Sequence, residues 1–436
     1  MTRGLVAAMV LLLVVGLCAG RASANLNAYV TRPQSEFRWT KESENQVGNV
    51  KVVTLKVRSQ VWRGIPWDHS VQLFLPKTRR HPKTGLLLIT GGNPGITETA
   101  LGASLAPRLE APLAIVYNTP NQPLFDGKKE DDLIAHTFEE FLKTGDETWP
   151  LLFPMVRGAT SAMDALQQYT ARECEAKLER FVVTGASKRG WTTYLTAAAD
   201  RRVAGIAPMV FDNLNFNAQM PRQLELWGKY SEQIDDYSRR GLQQKMSTPR
   251  GKQLVSLVDP WFYRKQLKMP KLLIHGANDR YWATDSTRIY WDDLEGEKCL
   301  LSVPNSGHGL EDRTRVVNSI TAFFHAVATG RPMPRLVHRY EEREGKVRAR
   351  VTSDVSPREV RLWTARAMDL DFRPVKWESV VMPASGNGYE TQVDGANGGG
   401  LAVFVEAEYE VDGRRFTLST PTAVYGKRPA VAAGKD

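Results

Sequence analysis

Six short apolar runs govern what this chain can fold into: Gly85-Leu86-Leu87-Leu88-Ile89-Thr90, Pro112-Leu113-Ala114-Ile115-Val116-Tyr117, Phe181-Val182-Val183-Thr184, Val203 to Phe211, Lys271-Leu272-Leu273-Ile274-His275-Gly276 and Cys299-Leu300-Leu301-Ser302-Val303-Pro304. A run without polar alternation suits a strand covered on both faces, which is the habit of parallel sheets. Segments with apolar residues three and four apart lie between them, such as Glu130 to Leu142 and Leu151 to Tyr169, and read as amphipathic helices. Strand and helix alternate to about residue 330, so the expected class is α/β.

The 436 residues exceed one ordinary core. Val50 to Leu75 reads as alternating strands, closed by Pro76 and the Lys77–Lys83 tract. From Asp212 to Leu267 the chain turns helical and polar with no strong strand, the size of a cap over a pocket, placed at about 212–268. Beyond Gly330-Arg331-Pro332-Met333-Pro334 the period changes. Val347 to Val351, Glu359 to Trp363 and Leu401 to Ala407 alternate like half-buried strands, predicting a small β-sandwich over 335–430 after an α/β domain of 25–334.

The N-terminus is a leader by pattern. Arg3 precedes an apolar run from Gly4 to Gly20, and Arg21-Ala22-Ser23-Ala24 supplies a cleavage signal, so residues 1–24 read as a signal peptide cut after Ala24. The run is short for a membrane span, and Leu17-Cys18 fits a lipoprotein box poorly, so no membrane anchor is expected. The address is secreted or periplasmic. Removing the leader takes away two arginines and no acid, lowering the formal charge from +10 to +8. The remaining basic residues are interleaved with acids and form no nucleic-acid motif. Cys174 and Cys299 remain; an oxidising compartment permits a bridge, but their residue type favours two buried thiols.

Chemistry concentrates at the ends of the apolar runs. Gly185-Ala186-Ser187-Lys188-Arg189-Gly190 turns a strand into a helix expected from Trp191 to Ala199. Such a turn lifts a serine hydroxyl above the sheet and aims the next backbone N–H, here that of Lys188, at an oxyanion. Arg189 holds the place where G-x-S-x-G has its last glycine, and Gly190 comes one residue late. Asp279 follows His275-Gly276-Ala277-Asn278, and His308 lies in Ser306-Gly307-His308-Gly309. The order Ser187, Asp279, His308 is that of an α/β-hydrolase triad: attacking hydroxyl, proton-carrying imidazole and orienting carboxylate. Gly91-Gly92-Asn93 stands where a second oxyanion N–H belongs, from Gly92 or Asn93. No metal cluster, P-loop or dinucleotide fingerprint is present, so this chemistry calls for no cofactor.

Plainer roles stand beside these. Ser187 suits a helix N-cap, Asp279 a cap for the helix from Thr284, and His308 a surface turn. Asp212, just past a strand, is the alternative acid. His69 and His136 sit inside element patterns as structural residues, and His275 packs near or orients the acid's turn. Lys188 and Arg189 are either solvated or place charge near the substrate. Glu130-Asp131-Asp132 and Glu139-Glu140 read first as a solvated helix face, and second as carboxylates for a substrate ammonium.

Longer motifs add a resemblance. Ser59-Gln60-Val61-Trp62-Arg63-Gly64, Pro120-Asn121-Gln122-Pro123-Leu124, Glu130-Asp131-Asp132-Leu133-Ile134-Ala135, Gly185 to Trp191 and Asp212-Asn213-Leu214-Asn215 make the chain resemble the PhoPQ-activated pathogenicity-related protein family over roughly residues 26–330. The family looks like an α/β-hydrolase group near the prolyl-oligopeptidase and dipeptidyl-peptidase branch, and its elbow has the same late glycine. The resemblance implies a secreted or periplasmic serine hydrolase and supplies no substrate. Two functions follow: hydrolysis of an ester or peptide bond (a dipeptidyl one included) in a small molecule or peptide, or a signalling or binding role on a hydrolase fold with little turnover. The pattern says nothing of oligomeric state.

Overall fold

A computed structural model describes residues 26–33 and 35–427. The expected signal peptide lies outside them. No helix among the described residues is long and apolar enough to cross a membrane.

The α/β part begins with α1 (Leu26–Thr31) and three antiparallel strands, β1 (Arg38–Val47), β2 (Val50–Trp62) and β3 (Ile65–Pro76). The sequence pattern missed β1. It is an edge strand with eight of its ten residues exposed, so burial imposes no period on it. The six apolar runs form β4 (Thr84–Ile89), β5 (Leu113–Val116), β6 (Arg180–Ala186), β7 (Val203–Met209), β8 (Lys271–Gly276) and β9 (Lys298–Val303). In space their order is β5-β4-β6-β7-β8-β9, all parallel, with β3 antiparallel against β5. Their side chains are buried almost throughout, as runs without alternation require.

Helices cover both faces. On one face α4 (Leu152–Glu173) and α5 (Lys188–Ala199) share a core with β2, β3 and α3 (Glu130–Thr144). On the other, α2 (Ile96–Leu109) and α10 (Arg313–Thr329) pack through Leu105, Leu109, Phe323 and Phe324. Strand order, helices on both faces and a serine turn directly after β6 make this an α/β-hydrolase sheet. Between β7 and β8 the chain leaves the sheet through α6 (Phe216–Trp227), α7 (Asp235–Ser238), α8 (Leu242–Lys245) and α9 (Pro249–Val258).

The C-terminal strands are β10 (Leu336–Arg343), β11 (Lys346–Ser353), β12 (Glu359–Ala367), β13 (Glu378–Val381), β14 (Ala384–Ser385), β15 (Gly388–Asp394), β16 (Gly400–Val411), β17 (Arg414–Ser419) and β18 (Ala423–Gly426). They make two sheets, as a sandwich should, but not a separate one. The order β17-β16-β12-β13 continues the hydrolase sheet, joined where Ser419 pairs with Leu300 of β9. The other sheet runs β10-β11-β15-β14. A shared core explains the junction, because Val303, Phe323, Val351, Val405 and Leu418 belong to one cluster. Ser319 Oγ also donates to Thr417 O at 2.9 Å, fixing α10 to β17.

Candidate active site

Ser187 sits at the tip of the β6–α5 turn with φ 57° and ψ −125°. A non-glycine residue holds that strained conformation only when its surroundings over-determine it. Here the Ser187 N–H donates to Met209 O at 2.9 Å, and Trp191 N–H returns to Ser187 O at 2.9 Å. The late glycine has a steric cause. A Cβ on Gly190 would stand 2.7 Å from Met209 O and 3.1 Å from Gly185 O. The close approach falls at Gly190, so Arg189 is free to carry a side chain. That side chain crosses Gly91, where a Cβ would lie 2.3 Å from Arg189 Nη2.

Arg189 fastens three segments. Its Nε donates to Thr119 O at 2.7 Å, and its Nη1 and Nη2 grip Glu130 at 2.7 and 2.8 Å. Lys188 Nζ, buried, lies 2.9 Å from Glu130 and 3.0 Å from Asp131. Burial works against ionisation of Glu130, but the hydrogen bonds and charges of Arg189 and Lys188 outweigh it and hold the carboxyl well below its ordinary range. Gln122 Oε1 accepts from Glu130 N–H at 2.8 Å. The solvated reading of this acidic stretch is therefore corrected: its carboxylates are bound to cations. Asp132 meets Arg239 and Arg240 at 2.8 and 2.7 Å, Glu139 meets Arg240 at 2.9 Å, and Glu140 meets Lys143 at 2.8 Å. The helix starts at Lys188, three residues earlier than the sequence pattern placed it.

In the loops after β9 and β8, His308 Nδ1 is 2.8 Å from Asp279 Oδ2. An ionised carboxylate only accepts, so Nδ1 carries the proton and Nε2 is the basic nitrogen. Nε2 is buried and has no hydrogen-bond partner. Asp279 is 6 % exposed, and its Oδ1 accepts from Tyr281 N–H at 2.9 Å. The Tyr281 ring lies against the imidazole, centroids 4.1 Å apart and 27° from parallel. Nothing in the local pattern marked Tyr281.

Asp212, the alternative acid, is engaged elsewhere. It accepts from Thr287 Oγ1 at 2.8 Å and Tyr290 OH at 2.6 Å, with His275 Nε2 at 3.7 Å. Burial pushes its carboxyl above the ordinary range. His308 pairs with Asp279 and not with Asp212. His275 packs beside Asp212 rather than orienting Asp279. Gly92 and Asn93 lie on an exposed loop after β4, Gly92 at φ 63°. The Arg189 side chain holds that loop against the elbow at Gly91, but neither Gly92 nor Asn93 lines the Ser187 cavity. Of the buried structural histidines, His69 bonds Ser59 Oγ at 3.0 Å. Cys174 and Cys299 are free, the first half-buried and the second buried.

The cavity itself is a narrow slot of about 70 Å³ between the elbow and helices α6–α9. Ser187, Lys188, Trp191, Phe138, Tyr237 and Trp282 are among the residues that line it.

Comparison with known proteins adds three findings. The family described as PhoPQ-activated pathogenicity-related protein is matched over residues 26–373. Autocrine proliferation repressor protein A of Dictyostelium discoideum is 28% identical over 441 residues, covering 92% of this chain and 89% of that protein. Among solved structures, acetyl xylan esterase 1 from Thermoanaerobacterium sp. JW/SL YS485 aligns over 69% of this chain and 93% of its own, at 16% identity and TM-score 0.48. An S-formylglutathione hydrolase from Agrobacterium tumefaciens aligns over 66% and 99%, at 12% identity and TM-score 0.44.

Proposed function

This chain belongs to the PhoPQ-activated pathogenicity-related protein family, and we propose that it is a secreted or periplasmic serine hydrolase that cleaves an ester. One observation carries the reading. A histidine whose Nδ1 is held by a buried carboxylate, and whose Nε2 is left unpaired, belongs to the same strand-end constellation as a serine on a strained elbow.

In this mechanism Ser187 Oγ attacks the ester carbonyl while His308 Nε2 takes its proton. Asp279 keeps the other ring nitrogen protonated and stabilises the imidazolium. The Lys188 N–H holds the oxyanion. His308 then protonates the departing alcohol, and a water, deprotonated by the same nitrogen, frees the acyl group from Ser187 as the acid. No cofactor takes part. The substrate is a small molecule or short peptide carrying the ester.

The ester is favoured over a dipeptidyl amide because the candidate ammonium holders are occupied. Glu139, Glu140, Glu130 and Asp131 each already face an arginine or lysine. A second reading, a signal carried on this fold, draws on the name of the Dictyostelium relative. Turnover separates the two. The purified mature protein is expected to hydrolyse simple esters and to leave dipeptidyl anilides, free or N-acetylated, untouched. Absence of turnover on every ester would favour the signalling reading.

A further inference from the structure

The cavity wall is mostly carbon, with Phe138, Trp191, Phe211, Phe216, Leu254 and Trp282 prominent in it. Two amide oxygens interrupt it. Asn213 Oδ1 and Gln243 Oε1 are buried and accept no hydrogen bond. Their residues are 8 % and 9 % exposed, and both line the cavity with Ser187. The orientation of Gln243 is set by its other end. Its Nε2 donates to Ser238 Oγ at 2.9 Å, and that hydroxyl directs its own proton to Ile234 O at 3.3 Å. Ser238 Oγ must then accept from an amide nitrogen, which leaves the glutamine oxygen unpaired.

A buried carbonyl oxygen without a donor is costly, and inside an apolar wall it selects a ligand that brings one. The donor's charge can also be argued. Asp131, the acidic side chain in the wall, is already 3.0 Å from Lys188 Nζ and accepts from Tyr237 OH at 3.0 Å. Lys188 opposes a second cation, whereas two neutral carbonyl oxygens suit a neutral N–H or O–H.

We propose that the cavity receives an apolar acyl group bearing a neutral hydrogen-bond donor, an amide N–H or a hydroxyl, which pairs with Gln243 Oε1. The substrate class is thus an ester of an N-acylated apolar amino acid or of an apolar hydroxy acid. This rests on the hydrolase reading.

The test uses two pairs of methyl esters on the mature protein: N-acetylphenylalanine against its N-methyl twin, and 3-phenyllactate against its O-methyl twin. In at least one pair the donor ester should be preferred by about tenfold in kcat/KM, the loss expected when a buried acceptor goes unpaired. The pair that shows it identifies the donor. The preference should fall toward unity in Gln243→Leu, and in the volume-conserving Gln243→Met should the first fail to fold. Ser238→Ala, which releases the glutamine amide, should weaken it. Ratios near unity in both pairs, with Ser187 still labelled by a fluorophosphonate, would overturn the proposal and leave the hydrolase reading standing. A preference that survives in both glutamine variants would be steric, and overturns it too. Loss of both labelling and turnover would remove the hydrolase reading itself, and this proposal with it.

Discussion

The elbow side of the site is fastened by ions, the acid–base side by neutral amides. Around Ser187, Lys188 and Arg189 lock onto Glu130 and Asp131 and draw in Thr119 and Gln122. Around His308, the loops are tied to the connection between β12 and β13. Asn278 Nδ2 donates to Val375 O at 2.7 Å, and Asn305 bonds Trp377 in both directions, at 2.8 and 3.1 Å. Behind them Trp227, Phe372, Trp377 and Phe404 form a small core. Ion pairs border that core, where Arg373 stacks on Trp227 at 4.0 Å and meets Asp371 at 2.6 Å and Glu232 at 3.2 Å. The difference teaches that the β12–β13 connection holds the Asp279 and His308 loops in place, while α3 holds the Ser187 turn. Ion pairs titrate and are screened; neutral amide hydrogen bonds are not.

The largest expected effect separates chemistry from support on the acid–base side. Asp279→Asn should lower ester turnover on the order of 10⁴-fold, through the wrong imidazole tautomer. Asp212→Asn keeps an oxygen for Tyr290 or Thr287 and should leave turnover within about tenfold, since other buried hydrogen bonds remain. Steady-state kinetics on the two folded variants decides. If Asp212→Asn alone suffers the large loss, the acid has been misassigned.

Next come the fastenings themselves. Arg189→Met removes a bidentate grip that links the elbow to α3 and the loop at Thr119. Displacements of about 1 Å at a reacting group cost on the order of 10²-fold, and that is the expected fall in kcat. Asn278→Ala leaves Val375 O without its donor one residue from Asp279. Asn278 Nδ2 also reaches Phe372 O and Arg373 O at 3.2 and 3.3 Å, and a fall of at least roughly tenfold is expected, the size of a single lost buried hydrogen bond. An Asn278→Ala protein with unaltered kcat would mean that the β12–β13 connection plays no part in holding the acid.

How much of this was legible in sequence follows from where each interaction is encoded. The six apolar runs were readable because burial on both faces forbids alternation. Ser187, Asp279 and His308 were singled out because each lies at a glycine-marked turn past a strand. The β1 edge was not, since its exposed residues carry no period. The clamp was missed for a different reason. Arg189 and Glu130 are 59 residues apart, and charge patterning along α3 alone reads as a solvated face. Asn278 and Val375, 97 apart, leave no local trace either. The sandwich was recognised by its period of two, but its union with β9 rests on a single pairing that no pattern announces.

The smallest effect is a pH test of the same contrast. Glu130 has its folded carboxyl held well below the ordinary value of 4.5, so the stability it contributes is present above 4.5 and is lost progressively as pH falls below it toward the lower folded value. The Tm difference between the wild-type protein and Glu130→Gln should be widest near neutrality and close in acid. The corresponding difference for Asn278→Ala should stay flat over the same range. A gap for Glu130→Gln that persists unchanged at about pH 3 would show that charge is not what fastens the elbow.

Covalent labelling of the mature protein by a fluorophosphonate probe, with the modified peptide mapped by mass spectrometry, tests the central claim most directly. The account predicts modification at Ser187 in the wild-type protein, none in folded Ser187→Ala, and none in folded His308→Ala, which keeps the hydroxyl but lacks its base. Labelling that persists undiminished in Ser187→Ala, or a wild-type protein that takes up no probe, would contradict it.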